Sequence, residues 1–329
     1  MKVAIAGTGP VAHYLHTTLP TLTLPSTTTN KNPITTIALT RTQNQSLNPS
    51  IEQRITTYTI PSLTPHLSDI DALISTISAP SPLHETANLN LLAACRESPK
   101  CKRFIPSEFT GNLESHPSLE PKYMHKTRQP IRDALRNQSE VQWTILLVGW
   151  FTEYLLPVTA EERLFEEFAG WAVDFTKREF TVYGDGESGV SLTSVRDFAG
   201  AVGALLLRDL GNKEGGEGWE EFIHLEGERV SWNGILEMLQ ERDGGVWGVK
   251  RKELEEAVAE VEEAEKGGGY SEIVASQLQL LGYTDFNVVD GEKARAQRER
   301  YFPGSRFRGV REVLDHTASQ PGEGKESIV

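Results

Sequence analysis

Cysteine is nearly absent from this 329-residue chain, which holds only Cys95 and Cys101. Two cysteines are too few for a disulfide framework, and no partner stands at a zinc-type spacing from them. Read as buried or incidental thiols, they fit a reducing compartment. Long apolar runs are missing too, since none reaches the ~18 residues that a spanning helix needs. The opening M-K-V-A-I-A-G lacks the length and flanks of a signal peptide. The expectation is a cytoplasmic protein with no membrane partner. Positive charge is scarce: 33 Lys and Arg stand against 46 Asp and Glu, a formal net charge of −13. That balance argues against nucleic-acid or anionic-membrane binding, both of which need a basic surface. Hydrophobic residues make up only 38% and the mean hydropathy is −0.37. A chain this long can still bury a sizeable core, and at roughly 100–200 residues per domain it suggests two domains or one large α/β unit.

What charge there is lies unevenly. Residues 1–150 hold 13 basic and 10 acidic residues, and the remainder holds 20 and 36, so a phosphate-binding site is expected in the first half. There, short apolar runs alternate with helical stretches, the pattern of a parallel sheet wrapped by helices. Strands are expected at Lys2–Ala6, Thr35–Thr40, Ala72–Thr76, Arg103–Pro106 and Thr144–Val148, and helices at Pro10–Leu19, Leu83–Ser98 and Pro130–Asn137. Thr21–Pro33, with its threonines and prolines, reads as a loop inserted before the second strand.

The second half is less regular. Glu161–Gly170 reads as a helix and Glu179–Thr193 as an extended stretch around the turn at Gly184-Asp185-Gly186. Ser194–Leu207, Ser231–Arg242 and Glu253–Glu265 read as helices, the second with Ser231 as N-cap. Lys213–Gly218 reads as a loop, and Phe222–Leu225 could return to the sheet as a further strand. The fold class expected is therefore α/β: a Rossmann-type doubly wound parallel sheet with a smaller C-terminal α+β substrate domain. The first domain would span 1–155, with its sheet rejoined by about 190–228, the second mainly 156–314, and a disordered tail 315–329.

The strongest local signal is Gly7-Thr8-Gly9-Pro10-Val11-Ala12, which follows an apolar strand and opens a helix. The first glycine permits the tight strand-to-helix turn, the second lets backbone approach a pyrophosphate, and the small third position suits helix–sheet packing. The helix start then offers N–H groups and a positive dipole end to phosphates. Pro10 removes one donor but suits the first turn. At the end of the second strand stands Arg41, and no Asp or Glu occurs between Asn30 and Ser50. An acid there would hold the ribose 2′-hydroxyl of NAD, whereas an Arg pairs with the 2′-phosphate of NADP. Arg41 thus points to NADPH unless it is an ordinary surface arginine. His13-x-x-His16 lacks a third ligand and reads as surface histidines, so no metal is expected. No Tyr-x-x-x-Lys occurs, Tyr123–Lys126 being one residue too short.

The segment Arg103-Phe-Ile-Pro-Ser-Glu-Phe109 resembles the hallmark of the NmrA-like and isoflavone-reductase-like proteins, which are atypical short-chain dehydrogenases. The resemblance continues through Pro130-Ile-Arg132, Trp143-Thr-Ile-Leu, Gly149-Trp-Phe-Thr-Glu-Tyr154, Gly184-Asp-Gly186, Ser191–Phe198, Arg229–Asn233 and Tyr301-Phe-Pro303, and looks most like fungal members. It implies NADPH held by the glycine loop, by Ser75, Thr76, Ile77 and Ser78, and by Pro106, Ser107 and Glu108. It also implies a small-molecule substrate against Phe109, Trp150, Phe151 and Tyr154, although aromatics at such spacing equally read as core. Plant members carry a general acid/base Lys three residues before an aliphatic-Arg pair. Aligned on Ile131-Arg132, that position is Arg128, with Lys126 two residues earlier. Lys126 is the candidate acid/base, because a desolvated Lys can shift its pKa toward neutrality. Arg128 is always protonated and suits holding a substrate oxygen or a cofactor phosphate. The family reading is an NADPH-dependent reductase of a small aromatic, heterocyclic or unsaturated carbonyl metabolite, in a fungal secondary-metabolite setting. Its alternatives are a non-catalytic NADP(H)-sensing regulator, or an isomerase, cyclase or dehydratase without net hydride transfer.

Overall fold

The structure is a computed structural model that describes residues 1–22, 34–78, 82–115, 122–157, 159–160, 163, 165, 170–211 and 218–318. The first half supplies β1 (Lys2–Ala6), α1 (Pro10–Thr18), β2 (Thr35–Thr40), β3 (Glu52–Ile55), α2 (Ile60–Leu63), β4 (Ala72–Ser75), α3 (Leu83–Glu97), β5 (Arg103–Ile105), α4 (Lys122–Arg136), β6 (Gln142–Trp143) and β7 (Ile145–Leu147). A six-stranded sheet runs in the order β3-β2-β1-β4-β5-β6, parallel throughout. This is the expected Rossmann-type α/β fold. Alternate side chains feed opposite faces, as the pleat requires. Val3, Ile5, Ile74 and Ile105 enter one core with α1; Ala4, Ala6, Leu73 and Phe104 enter the other, beneath α3 and α4.

Strand β3 was not anticipated. Its Glu-Gln-Arg-Ile sequence forms a half-exposed edge strand beside β2, and an edge tolerates polar residues that hide it from a search for apolar runs. Helix α4 begins eight residues before the expected Pro130. Pro130 removes one ladder donor, but Thr127, Ile131 and Leu135 recur every fourth residue and are buried. That stripe carries the helix through the proline.

The second half adds β8 (Trp150–Phe151), β9 (Val173–Asp174), β10 (Glu179–Tyr183), β11 (Gly189–Thr193), α5 (Val195–Gly211), β12 (Phe222–His224), β13 (Glu228–Ser231), α6 (Trp232–Asp243), β14 (Gly248–Lys252), α7 (Leu254–Gly267), α8 (Tyr270–Leu280), α9 (Gly291–Tyr301) and α10 (Val310–Ala318). Strand β12 lies parallel to β7, Phe222 opposite Ile145. The stretch around Gly184 does not close a hairpin: β10 pairs with β14 and β9, whereas β11 pairs with β13 and β8. Ser231 caps α6, its Oγ accepting from Gly234 N–H at 3.1 Å. Helix α10 runs to Ala318, so residues 315–318 of the tail expected from Asp315 are helical; residues 319–329, most of 161–170, most of Thr21–Pro33 and most of Lys213–Gly218 lie outside the described residues.

One buried ion pair ties the loop after β5 to α4. Arg132 on α4 and Glu108 after β5 both have fully buried side chains, with Arg132 Nε and Nη2 at 2.9 and 2.8 Å from the same carboxylate oxygen. The guanidinium also lies 5.3 Å from the Phe222 ring centroid on β12. Breaking a buried pair by removing one partner strands the other charge. Arg132→Ala is therefore expected to lower the unfolding free energy by about 3–5 kcal/mol, read from the urea midpoint. Arg132→Lys should rescue little, because an ammonium cannot reproduce the planar fork.

Candidate cofactor and substrate site

The carboxyl ends of the parallel strands bring most candidate residues together. At the end of β1, Gly7 has φ +114°, a conformation that only glycine adopts without strain. A Cβ there would stand 2.6 Å from Thr76 Oγ1. Thr76 itself is fixed by Ala6, whose carbonyl accepts from Thr76 N–H at 2.8 Å and from Oγ1 at 3.0 Å. The β1 and β4 ends thus pinch against each other where the loop turns. Thr8 and Gly9 are exposed, and Pro10 and Val11 are half-buried. Gly9 is the N-cap, Pro10 opens the helix, and no side-chain hydrogen bond caps it. The first-turn amides are thereby left for an anion. Ala12 is fully buried, as the helix–sheet contact needs.

Arg41 is exposed at the end of β2. Beside it sits Tyr58, whose hydroxyl donates to Leu39 O at 2.6 Å. Burial pushes the Tyr58 phenol up to about 12, and the Gly7 backbone and the Arg41 charge oppose that rise. Nothing in Thr56-Thr57-Tyr58 singled this residue out, because its role depends on where β3 lies.

Of the third-strand segment, Thr76 and Ile77 are half-buried and Ser78 is exposed. Ser75, the last residue of β4, is fully buried, which corrects its assignment as a cofactor contact: the sheet is covered on both faces here, and every residue of β4 is buried. His84, on the first turn of α3, meets Ile77 O through Nδ1 at 3.0 Å. Burial, and next the charge of Arg128, depress its pKa to about 4. The guanidinium of half-buried Arg128 therefore acts on the β4–α3 corner. The backbone of Lys126 lies in α4, and its side chain is outside the described residues.

Pro106 and Glu108 are buried and Ser107 is half-buried. Glu108 is engaged by Arg132, so its part is to hold the loop after β5 rather than to meet a ligand. A pair of rings links that loop to α5, Phe109 lying 4.7 Å from Phe198. Phe151 is only 6% exposed and packs on Phe198 and Phe165 at 5.4 and 5.6 Å, which corrects it from pocket wall to core. Trp150 and Tyr154 are half-buried, and Trp150 packs at 4.5 Å on Trp171. Between them in sequence, Glu153 is buried, and that burial raises its pKa. Its carboxylate accepts from Ser194 Oγ at 2.6 Å and Val195 N–H at 2.8 Å, pinning the Trp150–Tyr154 segment to the start of α5. Gly149 turns into that segment at φ +65°, where a Cβ would stand only 2.1 Å from Ser191 O.

His16 is buried and shares a 2.9 Å hydrogen bond with Thr36 Oγ1, so it is not the surface histidine expected. Burial, then the charge of His13, lowers it to about 4. Among the described residues no group of three metal-ligating side chains occurs, and no helix is long and apolar enough to cross a membrane.

No protein-family model matches the chain. It is 31% identical over 323 residues, 98% of this chain and 99% of the relative, to oxidoreductase swnR of Arthroderma benhamiae. Among solved structures it resembles leucoanthocyanidin reductase from Vitis vinifera in its binary complex with NADPH, with a TM-score of 0.69 at 16% identity over 97% of this chain and all of that one. It resembles isoflavone reductase with a TM-score of 0.65 at 17% identity over 96% of this chain and 98% of that one.

Two outcomes follow from this geometry. Gly7→Ala combines a positive φ with the Thr76 clash and should lower stability by about 1–3 kcal/mol, measured by denaturant unfolding. His16 and His84 take up protons in the unfolded chain near their ordinary 6.5 but, folded, only near 4. The unfolded state then binds more protons, so stability falls as pH drops from about 6.5 toward 4; a pH series of urea midpoints should show that slope, flattened in His84→Gln.

Proposed function

The chain belongs to the NmrA-like and isoflavone-reductase-like family, and on that footing we propose that it is an NADPH-dependent reductase of a small aromatic, heterocyclic or unsaturated carbonyl metabolite. The observation that carries this reading is the β1–α1 turn: Gly7 at φ +114° leads to a helix start with no side-chain cap, and an exposed Arg41 ends β2. This donor set fits a dinucleotide. A pyrophosphate would meet the amides of Thr8, Gly9 and Val11, since Gly7 N–H is taken by Leu39 O and Pro10 has none, and a Cβ on Gly9 would meet nothing within 4 Å. A 2′-phosphate would meet Arg41, with no carboxylate on that strand end to repel it.

The bound cofactor supplies the hydride; the chain binds, orients and stabilises charge. Lys126 is the candidate proton donor, with a water as the alternative. Arg128 remains cationic and holds a substrate oxygen or a cofactor phosphate near the β4–α3 corner. Half-buried Trp150 and Tyr154 offer apolar surface to a planar substrate, while Phe109 and Phe151 support them from behind. A fungal secondary-metabolite role is part of the same proposal, and the likeness to a fungal oxidoreductase supports it.

A second reading is favoured by one observation: Arg128 stands where plant members carry their catalytic Lys. A protein of this family without that Lys could sense NADP(H) and signal to a partner without turnover. The two readings separate in one assay. With NADPH and a panel of enones, quinones and imines, the reductase consumes NADPH, and Lys126→Ala and Arg128→Ala each slow it. No turnover with any of them, together with a stable protein partner in pull-down, would sink the reductase.

Cofactor choice is tested by equilibrium binding. The wild type should prefer NADPH to NADH, and Arg41→Ala should weaken NADPH by roughly 10- to 100-fold, the worth of a charge-assisted pair, with NADH nearly unchanged. Failure to bind either dinucleotide would remove the cofactor and the reductase with it.

A further inference from the structure

Tyr58 has φ +58°, one of two described non-glycine residues with a positive φ. A glycine would hold that backbone freely, whereas a bulky residue there is strained and persists only when its surroundings over-determine it. They do. Thr56 Oγ1 accepts from Tyr58 N–H at 3.1 Å and is itself 2.9 Å from Ser62 Oγ on α2. Asn90 Nδ2 on α3 donates to Tyr58 O at 2.9 Å. The phenol donates to Leu39 O on β2. Three elements of the fold thus hold one tyrosine in an unfavourable conformation, so the position uses the side chain rather than the backbone.

The place that side chain reaches is informative. The Leu39 carbonyl that accepts the phenol also accepts Gly7 N–H at 3.3 Å. The first glycine of the phosphate loop and the Tyr58 hydroxyl therefore hang from a single acceptor, and Arg41 follows two residues later in the chain. The ring rests on the same core as Ile77 and is half-buried. Resting on the dinucleotide reading above, we infer that Tyr58 is a positioning residue for the adenosine end of that site: its phenol sets the height of the Leu39 carbonyl, and with it Gly7, while its ring walls the space next to Arg41.

This assigns a division of labour. Arg41 discriminates the 2′-phosphate. Tyr58 acts on the loop that any dinucleotide shares, so its loss affects both cofactors alike. The test is titration of the full chain with NADPH and with NADH, alongside urea unfolding, for the wild type, Tyr58→Phe, Tyr58→Ala and Arg41→Ala. Tyr58→Phe keeps the ring and removes only the hydrogen bond, so it should weaken both dinucleotides by roughly three- to tenfold. Tyr58→Ala should weaken both further, and Arg41→Ala only NADPH. Lowered unfolding midpoints with both affinities unchanged would reduce Tyr58 to a structural residue and overturn the inference, as would a loss confined to NADPH. A wild type that binds neither dinucleotide would instead remove the reading beneath it.

Discussion

The buried pair of Glu108 and Arg132 is the constraint on which the far half of the molecule depends. Two charges with no solvent around them are stable only if their geometry is good, and here two guanidinium nitrogens converge on one oxygen. That requirement fixes the loop after β5 against α4. Through the Phe222 ring it also reaches β12, a strand that begins 117 residues after β5 ends. The candidate groups Ser107, Phe109 and Arg128 all lie within four residues of one partner or the other. Their positions inherit the precision of the pair.

A comparable economy governs the near half. The Leu39 carbonyl receives both Gly7 N–H and the Tyr58 hydroxyl, and the Ala6 carbonyl receives both donors of Thr76. Two strand-end carbonyls therefore set the shape of the turn that precedes α1. A phosphate site made of backbone amides needs such fixing, because it has no side chain that could adjust to the ligand.

Aromatic packing joins the two halves. Phe109, Phe198, Phe151, Phe165 and Tyr154 follow one another at 4.5–5.6 Å between centroids. From Tyr154 and Trp150 the contacts pass to Trp171 and then Trp232 in the second core. Rings at these separations each gain a modest attraction beyond their buried area. The residues proposed to face a substrate, Trp150 and Tyr154, are therefore the half-buried members of a series whose other members are mostly core.

The family, the parallel sheet, the glycine turn and Arg41 could be read from the chain alone, because each depends on neighbours in sequence: an apolar run, a glycine spacing, the residue at a strand's end. What tertiary structure decided was which similar-looking residues face inward. Ser75 and Thr76 are adjacent, yet the first is the buried end of β4 and the second, just past it, is half-buried. Glu108 lies in the hallmark motif, yet its partner Arg132 is 24 residues away. Phe151 and Tyr154 share a motif and both stack on Phe165, but Phe151 also packs on Phe198 of α5 and is buried, whereas Tyr154 is half-buried. Strand β3 and Tyr58 carried no local signal, since a polar edge strand and a strained tyrosine are defined by what lies beside them. Local pattern reports periodicity and turn chemistry; burial and pairing between distant segments exist only once the chain has folded.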